Sequence, residues 1–281
     1  MFVREPAVAG SFYESSKENL MNQIEWCFTH KLGPGVLPKI SESFTGKLIG
    51  VIVPHAGYIY SGPIAAWAYK VIAENGKPDS FIIIGPNHSG MGSPLAIMRK
   101  GLWRTPLGYA KVDSELGDAL LSSLDILEDD YTAHLNEHSI EVQLPFLQYL
   151  FGEVKFLPIS LMIQDREVSI LLGEAISKII KDRRVVVIAS TDFTHYESYE
   201  RAYKNDSLII DRIIDLDIDG FFKTYYSRRI SMCGPGPTGT LITIAKLLDA
   251  KQVLKLKYAT SGDTSGDMSF VVGYSSIAFL R

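Results

Sequence analysis

The chain has 281 residues, of which 46% are hydrophobic and 21% charged, with a formal net charge of −4. That charge offers no electrostatic footing for a nucleic-acid or anionic-membrane partner, and no apolar run is long enough to span a bilayer. Two cysteines, Cys27 and Cys233, are too few for a disulfide framework, and the N-terminal MFVREPAVAG lacks the basic-then-apolar layout of a secretory signal. A cytoplasmic protein with reduced thiols is the expectation.

Residues 4–13, REPAVAGSFY, show neither a helical nor a strand period and read as an extended arm. Ser16 is placed to cap a helix running to about Thr29, with Leu20, Ile24, Trp26 and Cys27 among its apolar residues. Cys27 reads as core filling there, and His30 as a partner for the helix dipole. Residues 33–46 read as a loop. Leu48 to Val53 is an apolar run that reads as a buried strand; it stops at Pro54, and His55 is the first polar side chain beyond the stop. Gly57 and Gly62 let the backbone turn, and a helix is predicted from Pro63 to about Ala73. Ser80 to Ile84 repeats the arrangement, ending in Gly85-Pro-Asn-His-Ser-Gly90: strand, breaker, histidine, glycine.

Leu95 to Met98 reads as a further strand, Trp103 to Gly108 as a turn between short strands, and Asp113 as the cap of a helix reaching Leu124. From Glu137, the apolar Ile140, Leu144 and Leu147 recur at helical spacing, which predicts His138 and Glu141 on one helix face. Val154 to Ile159 reads as a strand and Glu167 to Ile180 as a helix. The β-branched run Arg184 to Ala189 is a buried strand, ending in Ser190-Thr-Asp-Phe-Thr-His-Tyr196. Helices over 202–214 and 217–226 lead to the tight loop Ser231-Met-Cys-Gly-Pro-Gly-Pro237, which holds Cys233. A helix over 238–248 and strands over 254–259 and 270–280 close the chain, with Asp263 and Asp267 as turn formers and Gly273 as a candidate strand break. The alternation predicts one α/β domain, residues 1–281, built as a three-layer αβα sandwich around a mainly parallel or mixed sheet.

In a parallel sheet the strand ends after residues 53, 84 and 190 share one edge, where α/β folds place their ligands. His55, His88 and the pair Asp192/His195 are therefore expected to converge. Five of the six histidines, counting His134 and His138, fall in segments beside chain breakers rather than on apolar faces. Two chemistries fit. His55 and His88 with one anionic ligand make a metal site: a carboxylate partner suits non-haem iron(II), a Cys233 thiolate suits zinc, copper(I) or a softer iron site. Alternatively Cys233 is a nucleophile with His195 or His138 as its base. Spacing does not separate them. The plainer roles are a turn for His134, a Glu141 partner for His138 and a cap for Asp192.

The segments Arg4-Glu-Pro-Ala-Val-Ala-Gly-Ser-Phe-Tyr13, Val53-Pro-His-Ala-Gly-Tyr58, Tyr60-Ser-Gly62, Gly85-Pro-Asn-His88, Thr105-Pro-Leu-Gly108, Glu137-His-Ser-Ile-Glu-Val-Gln-Leu-Pro145, Ser190-Thr-Asp-Phe-Thr-His-Tyr196, Cys233-Gly234 and Ser261-Gly-Asp263 together resemble the Memo family, from near residue 4 to about 274. The resemblance implies a fold similar to the class III extradiol ring-cleaving dioxygenases, which hold iron(II) with two histidines and a glutamate. It implies that His55 and His88 are metal ligands, that Cys233 stands at the carboxylate position, and that Asp192 and His195 are the other polar residues of the pocket, His195 resembling the acid/base group. In that analogy a catechol-like substrate chelates the metal and is deprotonated by His195. His138, Glu141, Asn87 and Tyr58, from the same motifs, complete the expected surroundings of the pocket. A cysteine for the glutamate departs from ring cleavage, with Asp192 as an alternative carboxylate. Iron or copper is the implied cofactor, and no organic cofactor is expected. The implied partners are a small molecule or peptide in the pocket, phosphopeptides for the animal protein, and a radical-SAM protein or an AMMECR1-type protein for microbial relatives. A vestigial pocket acting as a peptide- or anion-binding module and a metal-free cysteine hydrolase are the alternatives.

Overall fold

The computed structural model describes residues 2–281. Seven strands carry the architecture: β1 (Leu48–Val53), β2 (Ser80–Pro86), β3 (Gly108–Val112), β4 (Val154–Leu161), β5 (Val185–Ser190), β6 (Gln252–Thr260) and β7 (Val271–Leu280). They lie in the order β3-β4-β2-β5-β1-β7-β6. The first five are parallel, whereas β7 runs antiparallel to both β1 and β6, so the sheet is mixed. The sheet continues beyond β3 through Leu102–Thr105 to Val3–Arg4, and a short strand, His195–Glu197, pairs with the start of β7.

Every residue of β1, β2 and β5 is buried, as expected of strands covered on both faces. Their side chains divide between two cores, alternating along β2 and β5. Val51, Val53, Phe81, Ile83, Val186 and Ile188 pack with helices α1 (Lys17–Thr29) and α2 (Tyr58–Asn75) on one face. Ile49, Ile52, Ile82, Ile84, Val187 and Ala189 pack with α3 (Arg166–Ile180), α4 (Tyr199–Ile214) and α5 (Pro235–Leu247) on the other. This is the layered α/β architecture expected from the sequence, and it leaves the carboxyl ends of β2, β5 and β1 side by side. No helix among the described residues is long and apolar enough to cross a membrane.

Three elements differ from their sequence readings. Helix α2 starts at Tyr58 rather than Pro63; the bond that Pro63 cannot make is to the carbonyl of Ile59, an exposed residue in the helix's first turn. Residues 137–140 are not helical: a single 3-10 turn, Glu141–Gln143, precedes a helix over Leu144–Phe151 with Pro145 in its first turn. Strand β7 runs unbroken through Gly273. The absence of a side chain there makes room for Asp206, whose carboxylate lies 2.0 Å from where a Cβ would sit.

Candidate metal centre

Each site histidine is presented by a strand end and then oriented by a polar partner that fixes its proton. His55 follows β1 and is buried. Its Nδ1 lies 2.9 Å from Ser190 Oγ. Ser190 donates its hydroxyl proton to the Ser139 carbonyl, 2.6 Å away, and accepts from Gln143 Nε2 at 2.9 Å. Gln143 cannot be reversed, since the same Nε2 donates to the Pro54 carbonyl at 3.1 Å. Ser190 therefore has only an acceptor left for His55, so the His55 proton sits on Nδ1 and Nε2 carries a free lone pair. Burial, then the neighbouring His138 and His88, holds the imidazole well below its ordinary pKa, so it is neutral at pH 7.

His88 follows β2 and is arranged the same way. Its Nδ1 lies 3.0 Å from Glu137 Oε1, and its backbone N–H donates to the other carboxylate oxygen. Glu137 also accepts from the Ser139 N–H at 2.8 Å. Burial raises the Glu137 carboxyl, but these hydrogen bonds and the His88 and His138 charges more than offset it and hold it at about 2. An ionised carboxylate requires the His88 proton on Nδ1. Burial lowers the His88 pKa, and Glu137 reverses this to a net rise. His138 stacks on His88 with ring centroids 4.7 Å apart and lies edge-on to His55. Burial is the largest cause holding His138 below its ordinary pKa.

Cys233 reaches the site because its loop lies almost against the end of β5. A Cβ on Gly234 would stand 2.6 Å from Thr191 Cβ and 2.7 Å from the Ser190 carbonyl, so only glycine permits the approach. Cys233 N donates to the Asp192 carbonyl at 3.2 Å, while Asp192 N donates to Cys233 Sγ at 3.1 Å. The sulfur lies 3.1 Å from His55 Nε2, the atom left with a lone pair, so the thiol donates its proton there. Burial, then the Asp192 charge, pushes the thiol well above its usual pKa. His55, His88 and Cys233 each offer a ligand atom, and the three atoms lie within 4.8 Å of one another. Two imidazole lone pairs and a thiol that loses its proton on coordination are a donor set that fits a transition metal.

Asp192 accepts from His55 N at 2.8 Å, with its second oxygen 4.0 Å from His55 Nε2. Burial raises this carboxyl to about 6. His195 Nδ1 lies 2.7 Å from the Phe193 carbonyl and 2.8 Å from the Ser231 carbonyl. Both are acceptors, so Nδ1 bears the proton and Nε2 is the basic atom. A cavity of about 400 Å³ opens above, lined by the four imidazoles, Asp192, Phe12, Tyr196, Val272 and Tyr274, a volume in the range of small-molecule sites.

The loop carrying Asp192 and His195 is held from behind by Asp206. Its carboxyl accepts from Thr194 N at 3.1 Å, Thr194 Oγ1 at 2.6 Å and Tyr258 Oη at 2.7 Å, and burial raises it to about 6 from 3.8. The folded chain therefore binds a proton at Asp206 that the unfolded chain has already released between pH 4 and 6, so stability falls as pH rises through that window. Relative to wild type, Asp206→Asn is expected to gain stability at pH 7 over pH 4.5, removing up to about 2 kcal/mol of that fall. Urea midpoints at the two pH values check this; Asp192, raised in the same direction, keeps a residual slope in the variant.

Three residues expected around the pocket do not line it, and neither does His134. Glu141 is fully buried and holds the N-terminal arm: it pairs with Arg4 and accepts from Ala7 N at 2.8 Å, Val8 N at 3.1 Å and Tyr13 Oη at 2.6 Å. Because residues 137–140 are not helical, it shares no helix face with His138. Tyr58 is buried against Tyr13 and Phe146 and donates to the Val142 carbonyl at 2.6 Å. Asn87 orders its own turn, accepting from Ser89 Oγ and Gly90 N and donating to the Met91 carbonyl. His134 is buried edge-on to Trp103, and burial lowers it to about 3. As for a nucleophilic Cys233, the imidazole in hydrogen-bond reach is His55, not His195 or His138, and a raised thiol pKa is the opposite of an activated nucleophile.

The family model described as Memo-like protein matches residues 4–278. The chain is 51% identical to a MEMO1 family protein of Methanopyrus kandleri, with 99% of each chain covered. It is 50% identical to one of Pyrobaculum aerophilum, with 100% of each covered. Among solved structures it resembles the uncharacterized protein JW3007 from Escherichia coli K12, with a TM-score of 0.53 at 11% identity, covering 82% of this chain and 99% of the other. That likeness concerns the fold alone.

Proposed function

The chain belongs to the Memo family, and from that premise we propose that its cavity is a mononuclear redox-metal site, binding iron or copper through His55, His88 and Cys233. The observation that carries this reading is the proton placement on the two histidines. Ser190 and Glu137 each accept a hydrogen bond at Nδ1, which leaves Nε2 of both imidazoles for a ligand, and His55 Nε2 lies 3.1 Å from the Cys233 sulfur. Such a metal, when bound, supplies Lewis acidity and electron transfer at the base of the cavity.

The chain's own groups do the rest. Glu137 and the Ser190–Gln143 pair hold the imidazoles in the ligating tautomer. Asp192 fixes the backbone of His55 and stands close enough to serve as a further anionic group. His195, with its Nδ1 proton tied to two carbonyls, takes a proton from a bound ligand at Nε2 and returns it. Oxidoreductase chemistry on a small ligand is the function this arrangement supports best. The sulfur ligand predicts its own test. Cys233→Ser is expected to lower copper(I) affinity by more than about 100-fold, since a hydroxyl is a poor soft-metal ligand, while leaving the melting temperature within a few degrees. Competition against a copper(I) chelator under anaerobic conditions reads the change; unaltered affinity contradicts the proposal.

A further inference from the structure

Cys233 itself belongs to no strand or helix; it opens the stretch Cys233-Gly-Pro-Gly-Pro237 that runs into the first turn of α5. Pro235 and Pro237 have no backbone N–H, so three donors remain in this stretch, and each goes to a different residue. Cys233 N donates to the Asp192 carbonyl at 3.2 Å, Gly234 N to Thr191 Oγ1 at 2.9 Å and Gly236 N to Gln164 Oε1 at 3.1 Å. Asp192 and Thr191 both follow β5. Gln164 approaches from another part of the sheet. It stands, half-buried, between the end of β4 and Asp165, whose side chain caps α3 by accepting from Val168 N at 2.8 Å. Its backbone is therefore fixed on both sides.

Gln164 also donates. Its Nε2 bonds the Cys233 carbonyl at 3.0 Å. Only one orientation of the amide serves both contacts, since a carbonyl can only accept and an N–H only donate. The peptide that joins Cys233 to Gly234 is thus gripped at both ends, its N–H by Thr191 and its carbonyl by Gln164. The approach depends on Gly236. A Cβ there would stand 3.0 Å from Gln164 Cβ and 3.1 Å from its Cα and Cγ, so a side chain would press the amide back. Without the amide, Thr191 alone would hold this peptide. The Cys233 side chain leaves the backbone directly beside it, and its sulfur lies 3.1 Å from His55 Nε2.

We propose that Gln164 is a positioning residue for the Cys233 ligand: by fixing the peptide that follows Cys233, it holds the sulfur where it closes on an ion bound by His55 and His88. Partners one layer behind a metal ligand commonly govern its affinity in this way. The inference rests on reading His55, His88 and Cys233 as the ligands of the proposed site.

Cobalt(II) is the probe, because a thiolate ligand gives it a sulfur-to-metal charge-transfer band that nitrogen and oxygen ligands do not. It is titrated anaerobically into wild type, Gln164→Met, Gln164→Glu and, as the blank for the band, Cys233→Ser. Methionine keeps the length and drops both polar contacts. Glutamate, as a carboxylate, keeps an acceptor for Gly236 N but offers the Cys233 carbonyl no donor. Both Gln164 variants are expected to bind cobalt about 10- to 100-fold more weakly than wild type, with a weaker band per bound ion. A variant that was merely less stable would show the wild-type band on every ion it bound. A band per bound ion equal to wild type in Gln164→Met therefore overturns the role, whatever the affinity. No cobalt uptake by wild type, or uptake without the band, overturns the ligand reading and the role together.

Discussion

His55→Ala is expected to weaken iron(II) or copper(I) binding by more than about 100-fold, a loss at least as large as that from removing an orienting partner of a ligand. The imidazole is buried, neutral and already in the ligating tautomer, with its lone pair facing the Cys233 sulfur at 3.1 Å. Alanine removes one ligand atom and one hydrogen bond each from Ser190 Oγ and the Cys233 thiol, while Ser190 keeps Ser139 and Gln143 and the thiol keeps the Asp192 carbonyl at 3.4 Å. Each lost hydrogen bond costs about 0.5–1.5 kcal/mol, so a measurable drop in melting temperature accompanies the loss. His55→Gln distinguishes the two effects: an amide restores part of the hydrogen bonding but not an imidazole ligand. Recovery of stability without recovery of metal affinity is the expected result, and metal affinity unchanged in His55→Ala contradicts it.

Glu141→Ala is expected to be the most destabilising single truncation of a polar residue. Its carboxylate pairs with Arg4, accepts from Ala7 N, Val8 N and Tyr13 Oη, and is fully buried. Truncation leaves a buried guanidinium, which also packs 4.4 Å from the Trp103 ring centroid, with its charge unpaired. Breaking a buried pair from one side costs about 3–5 kcal/mol, a fall of roughly 10 °C in melting temperature for a chain of this size. Glu141→Gln, which keeps acceptors for the backbone N–H groups, falls less. Phe12 rides on the same arm and lines the cavity, so losing the anchor should also weaken ligand binding. A melting temperature within 2 °C of wild type contradicts this account of Glu141.

The sheet and the ligand candidates were legible in the sequence for one reason. The runs of β1, β2 and β5 are almost wholly apolar; β1 and β2 end at a breaker followed by a histidine, and β5 ends in a polar stretch that carries Asp192 and His195. Parallel topology then brings His55, His88, Asp192 and His195 together without further information. What the sequence hides is the support beneath them. Glu137, Ser190, Gln143 and Asp206 act on residues 49, 135, 47 and 12 positions away, and no local period encodes such pairs. Glu141 was misplaced because apolar spacing from Glu137 imitates a helix, although Pro145 signals that a helix begins only there. An arginine in the otherwise uncharged-to-acidic arm at residue 4 was the one local hint that a carboxylate must be buried against it. Tyr196, the extra residue where the pairing of His195 and Glu197 with β7 slips, has a left-handed backbone with a φ of 56°, and nothing in a tyrosine signals that in the sequence.

The most direct measurement is the metal content of protein purified anaerobically without added metal or chelator, beside the same preparation of His88→Ala. About one iron or copper per chain, lost in the variant, is the result predicted by two imidazoles and a thiolate closing on one ion. No metal in either protein, and no uptake on adding iron(II) or copper(I) to wild type, contradicts a redox-metal site.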